Sequence, residues 1–367
     1  MDNANREFFA AANSGDGFVN FYSDIFYRSG IRRRYLIKGG PGTGKSTFMK
    51  KIAQKAAEKG HSIEYYRCSS DPTSLDGIII GERIALMDAT SPHCVDAKNA
   101  GAEDEIVDLG AFWDSDALEE DVEKIKLFSE QKSECFSRAY GFLSAAKQID
   151  DVNRKRAYKY IDTNKLDLAV KRILERLPHG EFAQIKTGLC DSIGMNGGVH
   201  LESYEKMAKK LYVIRDHCYC GSLFLEYVFK YAKETNRLVV SYSPLNTKLL
   251  DAIYFDDAKI AFVIERKDVK SYEEAEECVY MNTRRFFKES MGEARGEKAL
   301  IKKNRQRAYS IILRAKRELK NAGESHFLLE SIYIKRMDFE KQSDFLNRFS
   351  ENLLKKLDIY EKNNQKK

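Results

Sequence analysis

The run Gly39-Gly40-Pro41-Gly42-Thr43-Gly44-Lys45-Ser46 sets glycines, a lysine and a hydroxyl at the spacing G-x-x-x-x-G-K-[ST]. Each residue type has a use in holding phosphate. Glycines let the backbone turn its N–H groups inward around the phosphates without side-chain clash. Lys45 is placed to reach the β- and γ-phosphates of a nucleotide, and the Ser46 hydroxyl to ligate Mg²⁺. Thr47 closes the set of nucleotide-contacting residues. Two elements must hold such a loop. Tyr35, Leu36 and Ile37 before it read as a short buried strand. After it an amphipathic helix runs to about Lys59, with apolar Phe48, Met49, Ile52 and Ala56 recurring at three- and four-residue steps. The N-terminus of that helix adds partial positive charge.

This strand–loop–helix is the P-loop pattern, and it needs a carboxylate for the metal at the end of a neighbouring strand. Ile84-Ala85-Leu86-Met87-Asp88 supplies four apolar residues ending in Asp, so Asp88 is the candidate. Between the two motifs the strand Ile63-Glu64-Tyr65-Tyr66 leads into Cys68-Ser69-Ser70-Asp71-Pro72, a loop expected at the carboxyl edge of the sheet. Asp71 and Asp76 are candidates to orient water, metal or a second substrate, or else they make turns and caps. His93 either senses the γ-phosphate or is an ordinary surface histidine.

Composition bounds the rest. The 367 residues suffice for two domains, and 43% apolar with 32% charged residues reads as a soluble globular chain. No apolar run approaches the ~20 residues of a membrane span, and the first residues lack the pattern of a signal peptide. Seven scattered cysteines point to a reducing cytoplasm. A net charge of +6 fits phosphate-bearing ligands without indicating nucleic acid.

The chain also repeats itself. Tyr35-Leu36-Ile37-Lys38 matches Tyr212-Val213-Ile214-Arg215 at a shift of 177, and Ile84-Ala85-Leu86-Met87 matches Ile260-Ala261-Phe262-Val263 at 176. Leu75-Asp76 matches Leu250-Asp251 at 175, and Arg138-Ala139-Tyr140 matches Arg307-Ala308-Tyr309 at 169. These matches predict duplicated α/β parallel-sheet domains of the P-loop NTPase type, each with a helical hairpin or lid. The expected division is 1–177 (core about 1–115, helices about 116–177) and 178–367 (core about 178–268, helices about 269–360). In the second copy, Gly39 to Ser46 fall opposite Asp216 to Leu223, which leaves Gly221 as the last loop glycine and no lysine. Asp88 falls opposite Ile264. The second copy is thus expected to bind no nucleotide and to act as a structural or regulatory partner. Cys190, His217, Cys218 and Cys220 have only a weak zinc spacing. The basic segment Lys298–Lys320 is a solvated helix face, a nucleic-acid surface, or a partner for the acidic stretch Glu103–Glu123.

The whole chain resembles a poorly characterised family of bacterial proteins with tandem P-loop ATPase-like domains. The residues carrying the resemblance are Gly17-Phe18-Val19-Asn20-Phe21-Tyr22, Gly39 to Ser46, Cys68 to Pro72, Ser74-Leu75-Asp76-Gly77 and Asp88 to His93. Members can carry a P-loop in both halves, and this chain departs by lacking the second. The resemblance implies ATP binding and hydrolysis. The expectation is therefore an Mg²⁺-dependent ATPase, GTP remaining open, with Lys45, Asp88 and Asp71 catalytic, Ser46 and Asp88 on the metal, and the two halves in contact. The rival readings are a small-molecule kinase with Asp71 as base, a nucleic-acid-stimulated switch, and a nucleotide-gated scaffold. A cation from Arg215, Arg305 or Arg307 of the second copy is a further candidate for the γ-phosphate.

Overall fold

The computed structural model describes residues 6–364 other than 179, 181, 267, 268 and 270. The first half runs β1 (Arg6–Phe9), β2 (Ala11–Ser14), β3 (Gly17–Asn20), α1 (Tyr22–Phe26), β4 (Arg33–Lys38), α2 (Lys45–Glu58), β5 (Ile63–Arg67), β6 (Leu75–Ile80), β7 (Ile84–Asp88) and β8 (Asp104–Asp108). Helices α3 (Ser115–Glu119), α4 (Val122–Tyr158) and α5 (Thr163–Leu174) follow. The second half repeats the plan: β9 (Gln184–Thr187), β10 (Asp191–Gly194), β11 (Gly197–His200), α6 (Ser203–Met207), β12 (Lys210–Arg215) and α7 (Cys220–Ala232). It continues with β13 (Arg237–Tyr242), β14 (Leu250–Phe255), β15 (Ile260–Ile264), β16 (Glu277–Asn282), α8 (Ser290–Glu293), α9 (Arg295–Ile334) and α10 (Phe339–Asn364).

The two six-stranded sheets have one topology. Their orders are β1-β5-β6-β7-β4-β8 and β9-β13-β14-β15-β12-β16. In each, the third strand runs antiparallel to both neighbours and all other pairs are parallel. The expected parallel sheet is therefore a mixed one. The reason is local: only residues 81–83 separate Ile80 from Ile84, enough for a hairpin and far too few for a parallel crossover. Strand β16 also falls where a helical stretch was expected.

Apolar patterning decides the layering. Strands β6 and β14 are buried along their whole length, because both faces of each sheet are covered. The inner faces meet in a core that joins Leu36, Ile79 and Met87 of the first sheet to Val213, Ala252 and Val263 of the second, with Tyr22, Phe26 and Tyr204 between them. The two halves thus form one packed body. Hairpin β2–β3 reaches the second half through Gly15 N–H on the Leu245 carbonyl (2.9 Å). Hairpin β10–β11 returns the contact through Met195 N–H on the Ser70 carbonyl (2.8 Å).

The outer faces are covered by exchange. Helices α4 and α9 lie antiparallel, since Arg138 pairs with Glu318 and Arg156 with Glu297. Each long helix carries the chain across to the other half. Helix α5 therefore lays Leu166 and Val170 on α7 of the second core. Helix α10 lays Leu346, Leu353, Leu354 and Leu357 against Phe48, Met49 and Ile52 of α2. Each buried leucine contributes about 1.5–3 kcal/mol. The helical segment after each core is thus the cover of its twin.

Candidate functional site

The loop between β4 and α2 is shaped by residues in the left-handed region, Gly42 (φ 72°) and Gly44 (φ 73°) among them. Helix α2 then starts at Lys45 with no side chain capping its first turn, so its amide N–H groups face the loop's hollow. Lys45 Nζ folds back to donate to the Gly39 carbonyl (2.7 Å) and the Gly40 carbonyl (3.0 Å). Parallel pairing of β4 with β7 puts Asp88 beside Ile37, and Asp88 Oδ2 stands 3.6 Å from Lys45 Nζ. Thr90 ties the two strand ends together: its N–H donates to Asp88 Oδ1 (2.8 Å) and its hydroxyl to the Gly39 carbonyl (2.9 Å). Ser46 Oγ accepts the Leu75 N–H (3.0 Å), which leaves a lone pair on the oxygen. The lysine and the carboxylate singled out in the sequence are therefore neighbours here.

Behind them lies a buried polar pair. Asp76 and His93 are 2% and 6% exposed, with His93 Nε2 3.5 Å from Asp76 Oδ1. Tyr22 stacks on the His93 ring at 5.1 Å and Phe18 meets it edge-on at 5.0 Å, so the Gly17–Tyr22 segment holds the imidazole in place. Asp76 Oδ2 and His93 Nδ1 lack a partner among the described residues. Burial pushes the Asp76 carboxyl up to about 6; nearby His93 opposes that rise and Asp88 adds to it. His93 is thus buried and not an ordinary surface histidine. Asp71 is placed differently. Its oxygens accept from Thr73 N–H (3.1 Å), the Thr73 hydroxyl (2.8 Å) and the Ser74 hydroxyl (2.8 Å), which is the chemistry of its own turn.

The roof of the site comes from the distant half. A methyl added at Gly42 would stand 2.8 Å from the Glu330 carbonyl and 3.0 Å from Ile334 of α9. Gln342 Nε2 of α10 donates to the Thr43 carbonyl (2.6 Å). Trp113 rests on Gly40, where an added methyl would meet its ring at 3.2 Å, and packs on Tyr333. On the same face of α9, His326 is pulled down to about 4 by burial and by the charges of Lys132 and Lys45. Burial raises the Glu330 carboxyl, against the pull of the Gly42 amide and Lys45. A cavity of about 120 Å³ continues from the loop between α2 and α10, lined by Gly44, Thr47, Lys51, Phe339 and Gln342 among others. Sequence reasoning missed the roof, because nothing local marks His326, Glu330 or Gln342 as neighbours of a loop some 280–300 residues away.

The equivalent loop of the second half is built differently. Lys38 and Arg215, the last residues of equivalent strands, are 177 apart. Gly44 and Tyr219, the left-handed residues that open the next helices, are 175 apart. The second loop is therefore two residues shorter, and Gly221 falls opposite Ser46 rather than Gly44. No loop glycine survives. Asp216 fills the hollow: its carboxylate accepts the Gly221 N–H (2.7 Å) and the Tyr219 N–H (3.2 Å). Asp88's counterpart is Ile264, as the pairing of β12 with β15 places it. The three arginines stand apart from the first loop. Arg215 pairs with Glu265 (3.0 Å), Arg305 lies over Tyr219, and Arg307 bonds Asn304. The ion pairs onto Asp121 and Glu120 of the acidic stretch come from Arg336 and, on Asp121, from Lys124, both outside the basic segment. Among the described residues no cluster of three or more His, Cys, Asp or Glu is arranged to hold a metal ion, the weak zinc set included. No helix among the described residues is long and apolar enough to cross a membrane.

The Lys45–Asp88 pair, the free lone pair of Ser46 and the uncapped helix N-terminus fit a nucleotide's phosphates with their Mg²⁺. No family model, curated protein or solved structure matches the chain.

Proposed function

We propose that the chain binds one nucleoside triphosphate with Mg²⁺, ATP in the first instance, at Gly39–Ser46 and hydrolyses it. The observation that carries this reading is the position of Lys45. It stands at an uncapped helix N-terminus, folded over the loop carbonyls and 3.6 Å from the carboxylate on the adjacent strand. Mg²⁺ neutralises charge on the transferring phosphoryl group. Lys45 and the first amides of α2 hold the phosphates, while Ser46 and Asp88 face the metal. Thr47 and the cavity beside it receive the nucleoside. Ala89 follows Asp88, so the position where a water-activating glutamate often stands is filled by a methyl. The buried Asp76–His93 pair is the nearest alternative for orienting water, and hydrolysis on this reading is slow.

Contact of α9 and α10 with the loop gives the second half a role without a nucleotide of its own. Binding at Gly42 and Thr43 bears directly on Glu330 and Gln342, so occupancy is felt by the α4–α9 pair. The test is phosphate release by the purified full chain with ATP and Mg²⁺. Slow, metal-dependent release that Lys45→Ala abolishes is expected. Release that persists in a folded Lys45→Ala protein would refute the assignment.

A further inference from the structure

A second cavity lies in the other half of the chain. About 420 Å³ opens at the carboxyl edge of the second sheet, where an open α/β sheet places its ligand. Its floor carries Asp251 of β14 and Arg266 just beyond β15, and its sides are Asp191 and Ser192 of β10. Lys147, Asp150 and Arg154 of α4, the long helix of the other half, line it as well. The volume is within the ~300–1,000 Å³ usual for small-molecule sites.

The charges on its walls decide the ligand's chemistry. The cations are answered from within. Arg154 pairs with Asp151, Arg266 with Asp191 and Asp251, and Lys147 with Asp16 and Asp151. His200 lies between Asp191 (3.2 Å) and Glu205 (3.1 Å), which hold it protonated, its pKa pushed up to about 9. The helix N-terminus that is uncapped in the first half is filled here by the Asp216 carboxylate, so an anion has no comparable seat. What remains open is an acceptor. Asp251 Oδ1 and Ser192 Oγ are buried and have no hydrogen-bond partner among the described residues, on side chains 6% and 2% exposed. Burial and the neighbouring Asp191 push the Asp251 carboxyl up to about 7 against the pull of Arg266, and a ligand that brings a cation to its open oxygen recovers that cost. Around it Ser222 and Ser243 offer hydroxyl groups, and Asn246, which donates to Asp151 and accepts from Lys248 N–H, keeps a second amide N–H and a second lone pair.

We infer that this cavity binds a small amine-bearing, hydroxylated molecule, with its ammonium on Asp251 Oδ1 and its hydroxyls on the serine and asparagine wall. This goes beyond the nucleotide reading and does not depend on it. The experiment is calorimetric titration of the full chain with glucosamine, with glucose as the twin that carries a hydroxyl in place of the amine, and with inorganic phosphate. Saturable binding of one glucosamine per chain is expected, with glucose weaker by roughly ten- to a hundredfold, the worth of a charge-assisted hydrogen bond. Asp251→Asn should cost a similar factor. Ser222→Phe, which fills the cavity from the half-exposed start of α7, should abolish binding while circular dichroism stays unchanged. It serves as the test should Asp251→Asn fail to fold. Absence of glucosamine binding, equal affinity for glucose, competition by phosphate, or binding indifferent to Ser222→Phe would each overturn the inference.

Discussion

Asp76 is a buried acid that the fold would be more stable without, and its cost can be measured. Its carboxyl titrates at about 6 against an ordinary 3.8, a difference that corresponds to about 3 kcal/mol at ~1.4 kcal/mol per unit. The sign follows from linkage. The folded chain holds this proton more tightly than the unfolded chain does. Its contribution to stability is therefore full below 3.8, declines as pH rises, and is gone once pH has passed about 6. At pH 8 the wild type bears the whole penalty of a buried charge crowded by Asp88. An amide in place of this carboxyl cannot ionise and does not bear it. Asp76→Asn should thus be more stable than wild type by up to about 3 kcal/mol at pH 8, with the gain shrinking toward zero near pH 4. Urea unfolding at both pH values checks this, followed by circular dichroism and by the fluorescence of Trp113, the chain's single tryptophan. The same variant should lose ATP turnover if Asp76 orients water as proposed. A variant less stable than wild type at pH 8, or a gain of equal size at both pH values, would refute the reasoning.

Two further outcomes follow from the fold and the loop. Leu353→Ala on α10 removes a buried leucine from the core around α2 and should cost about 2–5 kcal/mol. The loss should appear in the Trp113 signal and in nucleotide affinity; an effect on neither would contradict the exchange of arms. Asp88→Asn should reduce Mg²⁺-dependent turnover far more than nucleotide binding, and an equal loss of both would move the metal carboxylate elsewhere.

Much of the loop geometry in the first half was legible because its signals are local. Glycines, lysine and hydroxyl lie within one loop, and an apolar run ending in Asp88 needs only a neighbouring strand to matter. The duplication was legible too, since strand residues recur at nearly one offset. The drift of that offset from 177 to 175 already recorded the two-residue length difference that the strand and helix ends locate between Lys38 and Gly44. The helix match at 169 misled. The helix ends Tyr158 and Ile334 are 176 apart, so that match had slipped by seven residues, two helical turns, over which the face of a helix repeats. The arm exchange left no trace, because the leucines of α10 announce an apolar face without saying which core it covers. Asp71 and Asp76 looked alike in sequence and differ only in surroundings. A turn with two hydroxyls consumes the first, and a strand buried on both faces isolates the second.

The central claim is a single nucleotide site at Gly39–Ser46, and calorimetric titration of the full chain with ATP and Mg²⁺ tests it most directly. Saturation at one nucleotide per chain is predicted, with a matching change in Trp113 fluorescence because its ring rests on Gly40. Lys45→Ala should lose tight binding and keep its circular dichroism. Two nucleotides per chain, no binding by the wild type, or wild-type affinity in the folded Lys45→Ala protein would contradict the account.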